Sequence, residues 1–473
     1  MRNYALILLL FSTLAAAAER LPAPINRALQ RAGLTAEHVG IFIQEVNAHT
    51  PLLAYGADHP LNPASTMKLV TTYAGLELLG PAYTWKTEFY ADGTLESGVL
   101  NGNLIIKGYG NPKLTLENFW LMLRELKLRG LSEIRGDLVL DRGYFKVENG
   151  DPSRFDNEPY RPYNVVPDAL LLNFKSIRLQ FIPDINKKTV SVIADPKPPQ
   201  LEILNNLTVA DEACGDWKAK DASNIQVSAQ SVRIVLYGSY PLGCGEQIWH
   251  VALFSHPQYV YSVFKELWRE LGGKINGTVR EAEMPAEARL LFSGESETLG
   301  EAVRDINKWS NNVMARQLFL TIGVETLHLP ASPEQSTQAI KQWLADKGLS
   351  FPELVLDNGA GLSRNERISA RHLGQLLLAA YKSPLMPELI ASMPLAAVDG
   401  TLKKKLYGHV VAGRAHLKTG SLEGVKAVAG YVLDHQGGMI VVVCLVNHPR
   451  AGDTEPLQDA LLQWVYQRSS SGP

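Results

Sequence analysis

The stretch Asn62-Pro63-Ala64-Ser65-Thr66-Met67-Lys68-Leu69-Val70 places a serine and a lysine three residues apart at the start of a predicted helix. Apolar residues recur at helical spacing from Met67 to Leu78, and Gly80-Pro81 ends the pattern. Because side chains three residues apart share one face of a helix, Ser65 and Lys68 are expected to lie side by side. The stretch therefore predicts a hydroxyl nucleophile with a basic amine one turn away.

Lysine can activate a serine only under restricted conditions. A serine hydroxyl is a poor nucleophile until a base removes its proton. Lysine acts as that base when burial and neighbouring cations lower its pKa and favour the neutral amine. Apolar Leu69 and Val70 follow Lys68, and Lys418 is the candidate neighbouring charge. Taken alone, the motif is more typical of a surface lysine on an ordinary helix, and the other motifs reverse that preference.

A second motif, Ser310-Asn311-Asn312, precedes an apolar stretch with helical spacing. Ser310 and Asn312 are residue types that cap helices, which is one interpretation. In a catalytic interpretation, Ser310 relays a proton to a leaving amine and Asn312 hydrogen-bonds the acyl-side amide of a substrate. The two interpretations are compatible, because a helix terminus is also a rigid place for a site.

A third motif, Lys418-Thr419-Gly420-Ser421, ends a predicted strand. Lys418 and Thr419 can bind a substrate carboxylate by charge and hydrogen bond. Gly420 removes a side chain where a substrate would lie against the strand edge. The backbone N–H groups of Ser65 and Ser421 are then the candidate oxyanion hole. An isolated motif of this kind also fits a strand-ending turn with an exposed lysine.

Composition excludes several classes of protein. The chain has 473 residues, of which 46% are hydrophobic and 20% charged, enough apolar surface for more than one core. A formal net charge of -2 provides no electrostatic footprint for nucleic acid, so no nucleic-acid partner is expected. The 11 histidines are scattered without metal-ligand spacing, so neither a metal nor another cofactor is expected.

The first 18 residues are typical of a secretory signal. Arg2 provides the positive start, residues 5–14 the apolar stretch, and Ala16-Ala17-Ala18 a small-residue cleavage site. A buried first helix is the alternative. The longest later apolar run, Met439 to Val446, has only strand length, so no integral membrane segment is expected after cleavage. The sequence predicts a periplasmic protein.

Cysteine usage agrees with an oxidising compartment. Cys214 and Cys244 lie in loop-like sequence suited to a disulfide, whereas Cys444 lies inside an apolar strand. We therefore predict a Cys214–Cys244 disulfide and a buried, unreactive Cys444.

Strand and helix patterns divide the chain into nested units. Two predicted strands near the beginning and three near the end, with helices between them, would form one sheet if the chain ends meet. The predicted division is a signal at 1–18, a catalytic domain from 19–83 and 284–473, an inserted α+β domain from 84–175 and 251–283, and a nested small β domain at 176–250.

With these residues in place, the chain resembles the low-molecular-mass class C penicillin-binding proteins, which are serine D-alanyl-D-alanine carboxypeptidases and endopeptidases. Residues 357–364 and 397–402 resemble that family's D-G-S-G-L-S-R and V-D-G-T-L segments. Asn358 and Ala360 depart from it, since the family more often has Gly and Ser there. Ser310 follows Ser65 by 245 residues, which matches the family's two nested inserted domains.

The resemblance implies a fold and a set of roles. The fold would be an α/β (α+β) transpeptidase domain like those of penicillin-binding proteins and serine β-lactamases, with a five-stranded antiparallel sheet flanked by helices. Its site would use Ser65 as nucleophile, Lys68 as base, Ser310 as proton relay, and Asn312, Lys418, Thr419, Gly420 and Ser421 to hold substrate. Asp156 resembles an insert-domain aspartate that meets the free amine of diaminopimelate, although a solvated loop aspartate is the alternative.

The implied activity is hydrolysis of peptidoglycan stem peptides and cross-links through an acyl-enzyme that β-lactams trap. A serine β-lactamase is the alternative enzyme, but no E-x-x-L-N motif lies between the last two motifs. A non-catalytic peptidoglycan-binding protein is the alternative outside enzymes, and the presence of every catalytic residue type argues against it.

Overall fold

The structure is a computed structural model that describes residues 21–147, 150–228 and 231–467, so the predicted signal at 1–18 lies outside the described residues. The helices are α1 (Ala23–Ala32), α2 (Lys68–Leu79), α3 (Leu116–Leu128), α4 (Trp217–Lys220), α5 (His256–Glu270), α6 (Leu299–Trp309), α7 (Asn312–Leu327), α8 (Pro333–Asp346), α9 (Ala370–Tyr381), α10 (Met386–Ser392) and α11 (Glu455–Gln467). The strands are β1 (Val39–Glu45), β2 (Leu53–Tyr55), β3 (Lys86–Glu96), β4 (Val99–Gly108), β5 (Glu133–Ile134), β6 (Leu138–Asp141), β7 (Ile177–Asp184), β8 (Thr189–Asp195), β9 (Leu201–Ala210), β10 (Asp221–Val227), β11 (Val232–Pro241), β12 (Gln247–Val251), β13 (Lys274–Ile275), β14 (Val279–Glu281), β15 (Arg289–Glu295), β16 (Ala415–Leu422), β17 (Val425–Leu433) and β18 (Met439–Asn447).

Strands from both ends of the chain form one five-stranded antiparallel sheet, in the order β16-β17-β18-β1-β2. β1 pairs with β18 from Val39 opposite Val446 to Glu45 opposite Ile440. β18 is an almost unbroken apolar run, as expected for a strand that is covered on both faces. The predicted fold class is confirmed, and β16 with its Lys-Thr-Gly motif is an outer strand.

Residues that alternate along β1 pack into two separate hydrophobic cores, one on each face of this sheet. Phe42 packs with Leu69 of α2 and Leu318 of α7 on one face. Ile41 packs with Leu461 of α11 on the other, together with residues of α1. Since successive strand residues point to opposite faces, a one-residue slip would exchange the two cores, which fixes the register.

The inserted region begins and ends at one place in the fold. Trp85 N donates to Ser296 Oγ at 2.9 Å, and Ser296 N donates to Trp85 O at 2.9 Å. Between them lies a seven-stranded sheet with the path β13-β5-β4-β3-β15, to which β6 and β14 attach. β15 pairs with β3, so this sheet extends past the predicted boundary at 283/284.

Helices were predicted between the early and late strands of the catalytic domain, whereas residues 289–295 of that interval form the strand β15. Its apolar Leu290-Leu291-Phe292 is too short a run for periodicity to separate strand from helix. We propose that the inserted α+β unit ends after β15 instead of at residue 283.

A six-stranded sheet, in the order β10-β11-β9-β8-β7-β12, occupies the middle of the insert. Ile177 at the start of β7 pairs with Val251 at the end of β12, so the chain enters and leaves this sheet at adjacent positions. That adjacency supports a nested β unit at about the predicted 176–250. Its Phe181 and the α5 residue Trp268 belong to one continuous core.

The predicted disulfide is present between Cys214 and Cys244, and Cys444 is a buried free thiol. We expect denatured but unreduced protein to react with a thiol reagent at Cys444 alone, and reduced protein at all three cysteines. The bridge spans 30 residues, for which chain-entropy estimates give about 3–4 kcal/mol of stabilisation. Labelling of three cysteines without reductant, counted by intact mass, would contradict the bond.

Candidate active site

The turn that carries Ser65 is held from two sides. Residues Ala64–Met67 form a 3-10 turn that runs into α2. Just ahead of it, Asn62 Nδ2 donates to Ser363 O at 2.8 Å, and Asn62 N donates to Asn447 Oδ1 at 2.7 Å. Asn62 therefore fixes the turn between the end of β18 and the 357–363 loop. The sequence alone predicted no role for Asn62.

Lys68 lies beside Ser65 as predicted, and its surroundings favour a neutral amine. The side chain is fully buried. Its Nζ lies 3.0 Å from Ser65 Oγ and donates to Asn312 Oδ1 at 2.6 Å and to Ala360 O. Burial, and after it the charge of Lys418, hold the pKa of Lys68 well below its ordinary value.

A neutral amine has two N–H donors and one lone pair. Asn312 Oδ1 and Ala360 O are acceptors for the two donors. The lone pair of Lys68 Nζ is then left for the Ser65 hydroxyl proton. This arrangement suits proton removal from Ser65.

Ser310 and Asn312 do not cap the helix that follows them. Asn311 is the N-cap of α7, since its Oδ1 accepts from Met314 N at 3.0 Å. Ser310 lies between α6 and α7 with a left-handed backbone, φ 57°. Asn311 is thus the N-cap of α7 and Ser310 the C-cap of α6, while the side chains of Ser310 and Asn312 contact the two lysines.

Lys418 reaches the site from β16. It is fully buried, and its Nζ donates to Ser310 Oγ at 2.9 Å and to Thr419 O at 2.7 Å. Burial lowers the pKa of Lys418 to about 7. A substrate carboxylate would favour its charged form, so this lysine is suited to binding an anion next to Ser310.

Gly420 marks a close approach between β16 and the Ser65 turn. A Cβ at Gly420 would lie 2.7 Å from Pro63 O and 3.0 Å from Ser65 N. The motif therefore needs glycine because the backbone of Ser65 lies against it. Ser421, the next residue, is exposed on the outer strand.

Thr401 is a site residue that the sequence analysis missed. Its Oγ1 lies 3.2 Å from Thr419 Oγ1. Lys308 Nζ bonds Asp399 Oδ2 at 2.6 Å, which holds this turn on the end of α6. The resemblance of residues 397–402 to a family segment was the only sequence feature that pointed to Thr401. That resemblance does not show that Thr401 contacts Thr419.

Two further charged residues behind Lys68, Glu366 and the half-buried Arg316, were also missed. Glu366 is fully buried, and its Oε1 accepts from Asn358 N at 3.2 Å. Asn358 Oδ1 in turn accepts from Ala360 N at 2.9 Å, so Glu366 supports the loop whose carbonyl contacts Lys68. Burial raises the pKa of Glu366 to about 7 and lowers that of Arg316, one turn into α7, to about 10.

A cavity of about 330 Å³ is lined in part by Asp151, Phe155, Arg364 and Arg316, the last of which follows Asn312 by one turn of α7. Asp156 is not among its lining residues. The Oδ2 of Asp156 accepts from Tyr163 Oη at 2.8 Å, and its Oδ1 accepts from Asn164 Nδ2 at 2.7 Å. Contact between Asp156 and a substrate amine stays a prediction.

Across the described ranges, no cluster of three or more His, Cys, Asp or Glu residues is arranged to hold a metal. Within the same ranges, no helix combines the length and apolar character that crossing a membrane requires.

Comparison of the sequence with known protein families supports the interpretation of this geometry as an acyl-transfer site. Residues 21–468 match the model of the D-Ala-D-Ala carboxypeptidase 3 (S13) family. The chain belongs to this family. It is accordingly a serine-type D-Ala-D-Ala carboxypeptidase, and the resemblance drawn from the three motifs is confirmed.

Relatives in the S13 family cover nearly the whole chain. D-alanyl-D-alanine carboxypeptidase DacB of Haemophilus influenzae is 27% identical over 88% of this chain and 87% of its own. The D-alanyl-D-alanine carboxypeptidase of Actinomadura sp. strain R39 is 26% identical over 92% of this chain and 82% of its own. Among solved structures, penicillin binding protein 4 of Haemophilus influenzae gives a TM-score of 0.78 at 24% identity, covering 93% of this chain and 99% of that one.

Proposed function

We propose that this carboxypeptidase removes the terminal D-alanine of peptidoglycan stem peptides through an ester on Ser65, and also cleaves D-alanyl cross-links. The observation that carries the proposal is the pair of buried lysines. Lys68 Nζ meets Ser65 Oγ at 3.0 Å, and Lys418 Nζ meets Ser310 Oγ at 2.9 Å. One lysine is placed to take a proton and the other to hold a carboxylate.

In acylation, the Lys68 amine takes the Ser65 proton while Oγ attacks the penultimate D-alanine carbonyl. The oxyanion accepts hydrogen bonds from Ser65 N and Ser421 N. The C–N bond then breaks, and the proton that Lys68 accepted passes through Ser310 to the leaving amine, so that Lys68 is neutral again. Asn312 hydrogen-bonds the acyl-side amide while it also orients Lys68. Lys418, Thr419 and Thr401 hold the carboxylate of the leaving residue.

In deacylation, water attacks the Ser65 ester and loses a proton to Lys68. The ester C–O bond breaks, Ser65 Oγ regains a proton, and the shortened peptide leaves as a carboxylic acid. A β-lactam reacts by the same acylation steps, since Ser65 attacks its ring amide and its carboxylate suits Lys418 and Thr419. The Haemophilus penicillin binding protein 4 was solved complexed with a β-lactam.

We also propose that the protein is exported to the periplasm, where peptidoglycan is found. Residues 1–18 have the signal pattern, and the Cys214–Cys244 bridge suits an oxidising compartment.

The proposal is tested by treating purified protein with penicillin and following the mass of the intact chain. A stable adduct on Ser65 supports it. An adduct that disappears rapidly would indicate a serine β-lactamase, and no adduct would indicate a non-catalytic binding protein.

The role of Asp156 is tested against its neighbour Asp151, which lines the cavity. If Asp156 meets the substrate amine, Asp156→Asn should raise KM about tenfold for a peptide with a free side-chain amine but not for its N-acetylated form. Asp151→Asn is the matched control. The opposite result, with only Asp151→Asn selective for the free amine, would transfer the role to Asp151.

Two lysines with opposite charge requirements predict a pH dependence. Lys68 must be neutral, so acylation should rise with pH through its lowered pKa. Lys418 must be charged, so KM for a peptide with a free C-terminal carboxylate should rise above pH about 7, by up to about tenfold per pH unit. A substrate with an amidated C-terminus should lack that alkaline limb. Identical pH profiles for the two substrates would contradict the role of Lys418.

A further inference from the structure

A second cavity, of about 400 Å³, lies under the outer edge of the five-stranded sheet. Its walls are β16, β17, α11 and the loop at 402–407. Residues Thr419–Ser421 belong both to this cavity and to the candidate active site. A ligand that extends beyond the carboxylate position at Thr419 therefore has a preformed space to enter.

The lysines that line the cavity outnumber the carboxylates that line it. Lys404, Lys405 and Lys426 line it, against Glu455 and Asp459. Lys405 Nζ lies 4.0 Å from Glu455 Oε1. Within the described ranges, no carboxylate lies within ion-pair distance of Lys404 or Lys426.

Lys426 and α11 place this charge against the motif strand. Lys426 is only half-buried and stands opposite Ser421 in the pairing of β16 with β17. From α11, Gln458 lines the cavity, and its Nε2 is buried without an acceptor among the described residues. Cations and a spare amide donor together favour a ligand with carboxylate oxygens.

The position of the cavity relative to the scissile bond determines which part of a substrate it meets. The acyl side lies toward Asn312, one turn of α7 before Arg316 in the wall of the 330 Å³ cavity. The leaving side lies toward Ser310, Thr419 and Thr401. The loop that begins at Thr401 continues directly into Lys404 and Lys405. Only a leaving group longer than a single D-alanine extends this far.

We propose that the cavity binds the leaving peptide of a cross-link, a second stem peptide, through its free carboxylates at Lys404 and Lys426. The inference rests on the proposed function, because it extends the leaving side of the same Ser65 site. A monomeric stem peptide releases only D-alanine and does not reach the lysines. The cavity thus favours cleavage of cross-links over removal of terminal D-alanine.

The test compares two substrates of the full-length protein, a monomeric pentapeptide ending in D-Ala-D-Ala and a cross-linked peptide dimer. The double variant Lys404→Gln/Lys426→Gln should raise KM for the dimer about five- to tenfold and leave the monomer unchanged. The wild-type preference for the dimer should also weaken with added salt. Lys403→Gln is the control, since Lys403 has the same charge one residue away and does not line the cavity.

Two outcomes would overturn the inference. One is a double variant whose KM for the dimer is unchanged, or rises by the same factor as its KM for the monomer. The other is a wild-type protein that cleaves the monomer but not the dimer. Failure of the proposed function is distinguishable, because then wild-type protein would neither form a stable penicillin adduct nor cleave the monomer.

Discussion

Ser65→Ala protein should form no covalent adduct with penicillin and should lose at least about 10⁴-fold in peptide hydrolysis. The side chain removed is the only hydroxyl within contact of Lys68 Nζ in the described part of the chain. The fold should persist, since Ala64 and Thr66 around it are buried and Thr66 makes its own bond to Pro63 O. Intact-mass analysis measures the adduct, and circular dichroism verifies the fold.

Lys68→Arg should lose acylation nearly as completely, although it preserves positive charge. A guanidinium stays protonated in proteins and cannot accept the Ser65 proton. Lys68→Met removes the amine without adding bulk, so loss in both variants would tie the effect to the neutral amine. Near-normal acylation by Lys68→Arg would remove the base assignment. The proton acceptor would then be sought at Ser310.

The parts of the site that could be predicted from sequence depend on local geometry. Helical spacing alone places Ser65 beside Lys68. The strand patterns at both ends predict one sheet, and that sheet brings Lys418 toward Ser65. Lys68 and Asn312 are 244 residues apart in sequence, and only the resemblance to a family predicted that they share a site; their hydrogen bond was not predicted.

What the sequence did not reveal depends on individual hydrogen bonds that loops and turns make once the chain is folded. Thr401, Asn62 and Glu366 act through hydrogen bonds to residues far away in the chain or on a turned loop. Nothing in their own spacing distinguishes them from ordinary polar residues. Asn311 is the N-cap of α7, because it has the required extended backbone just before the first helical residue, whereas Ser310 is the C-cap of α6.

Gly361 is a second position where a small change should have a large effect on chemistry. It has φ 78°, and a Cβ there would lie 1.9 Å from Ala64 O and 2.8 Å from Ser65 N. Backbone atoms cannot rotate away as a flexible side chain can. An alanine at this position therefore has to displace the turn that carries the nucleophile.

Gly361→Ala should acylate with penicillin at least about 100-fold more slowly, because a displacement of about 1 Å is enough to disrupt attack geometry. Gly348→Ala is the matched control: its φ is 71°, and a Cβ there meets nothing within 4 Å. Both variants incur the left-handed backbone strain of about 1–2 kcal/mol, so both should lower Tm. Only Gly361→Ala should lose acylation. Equal acylation rates in the two variants would show that the 357–363 loop does not position Ser65.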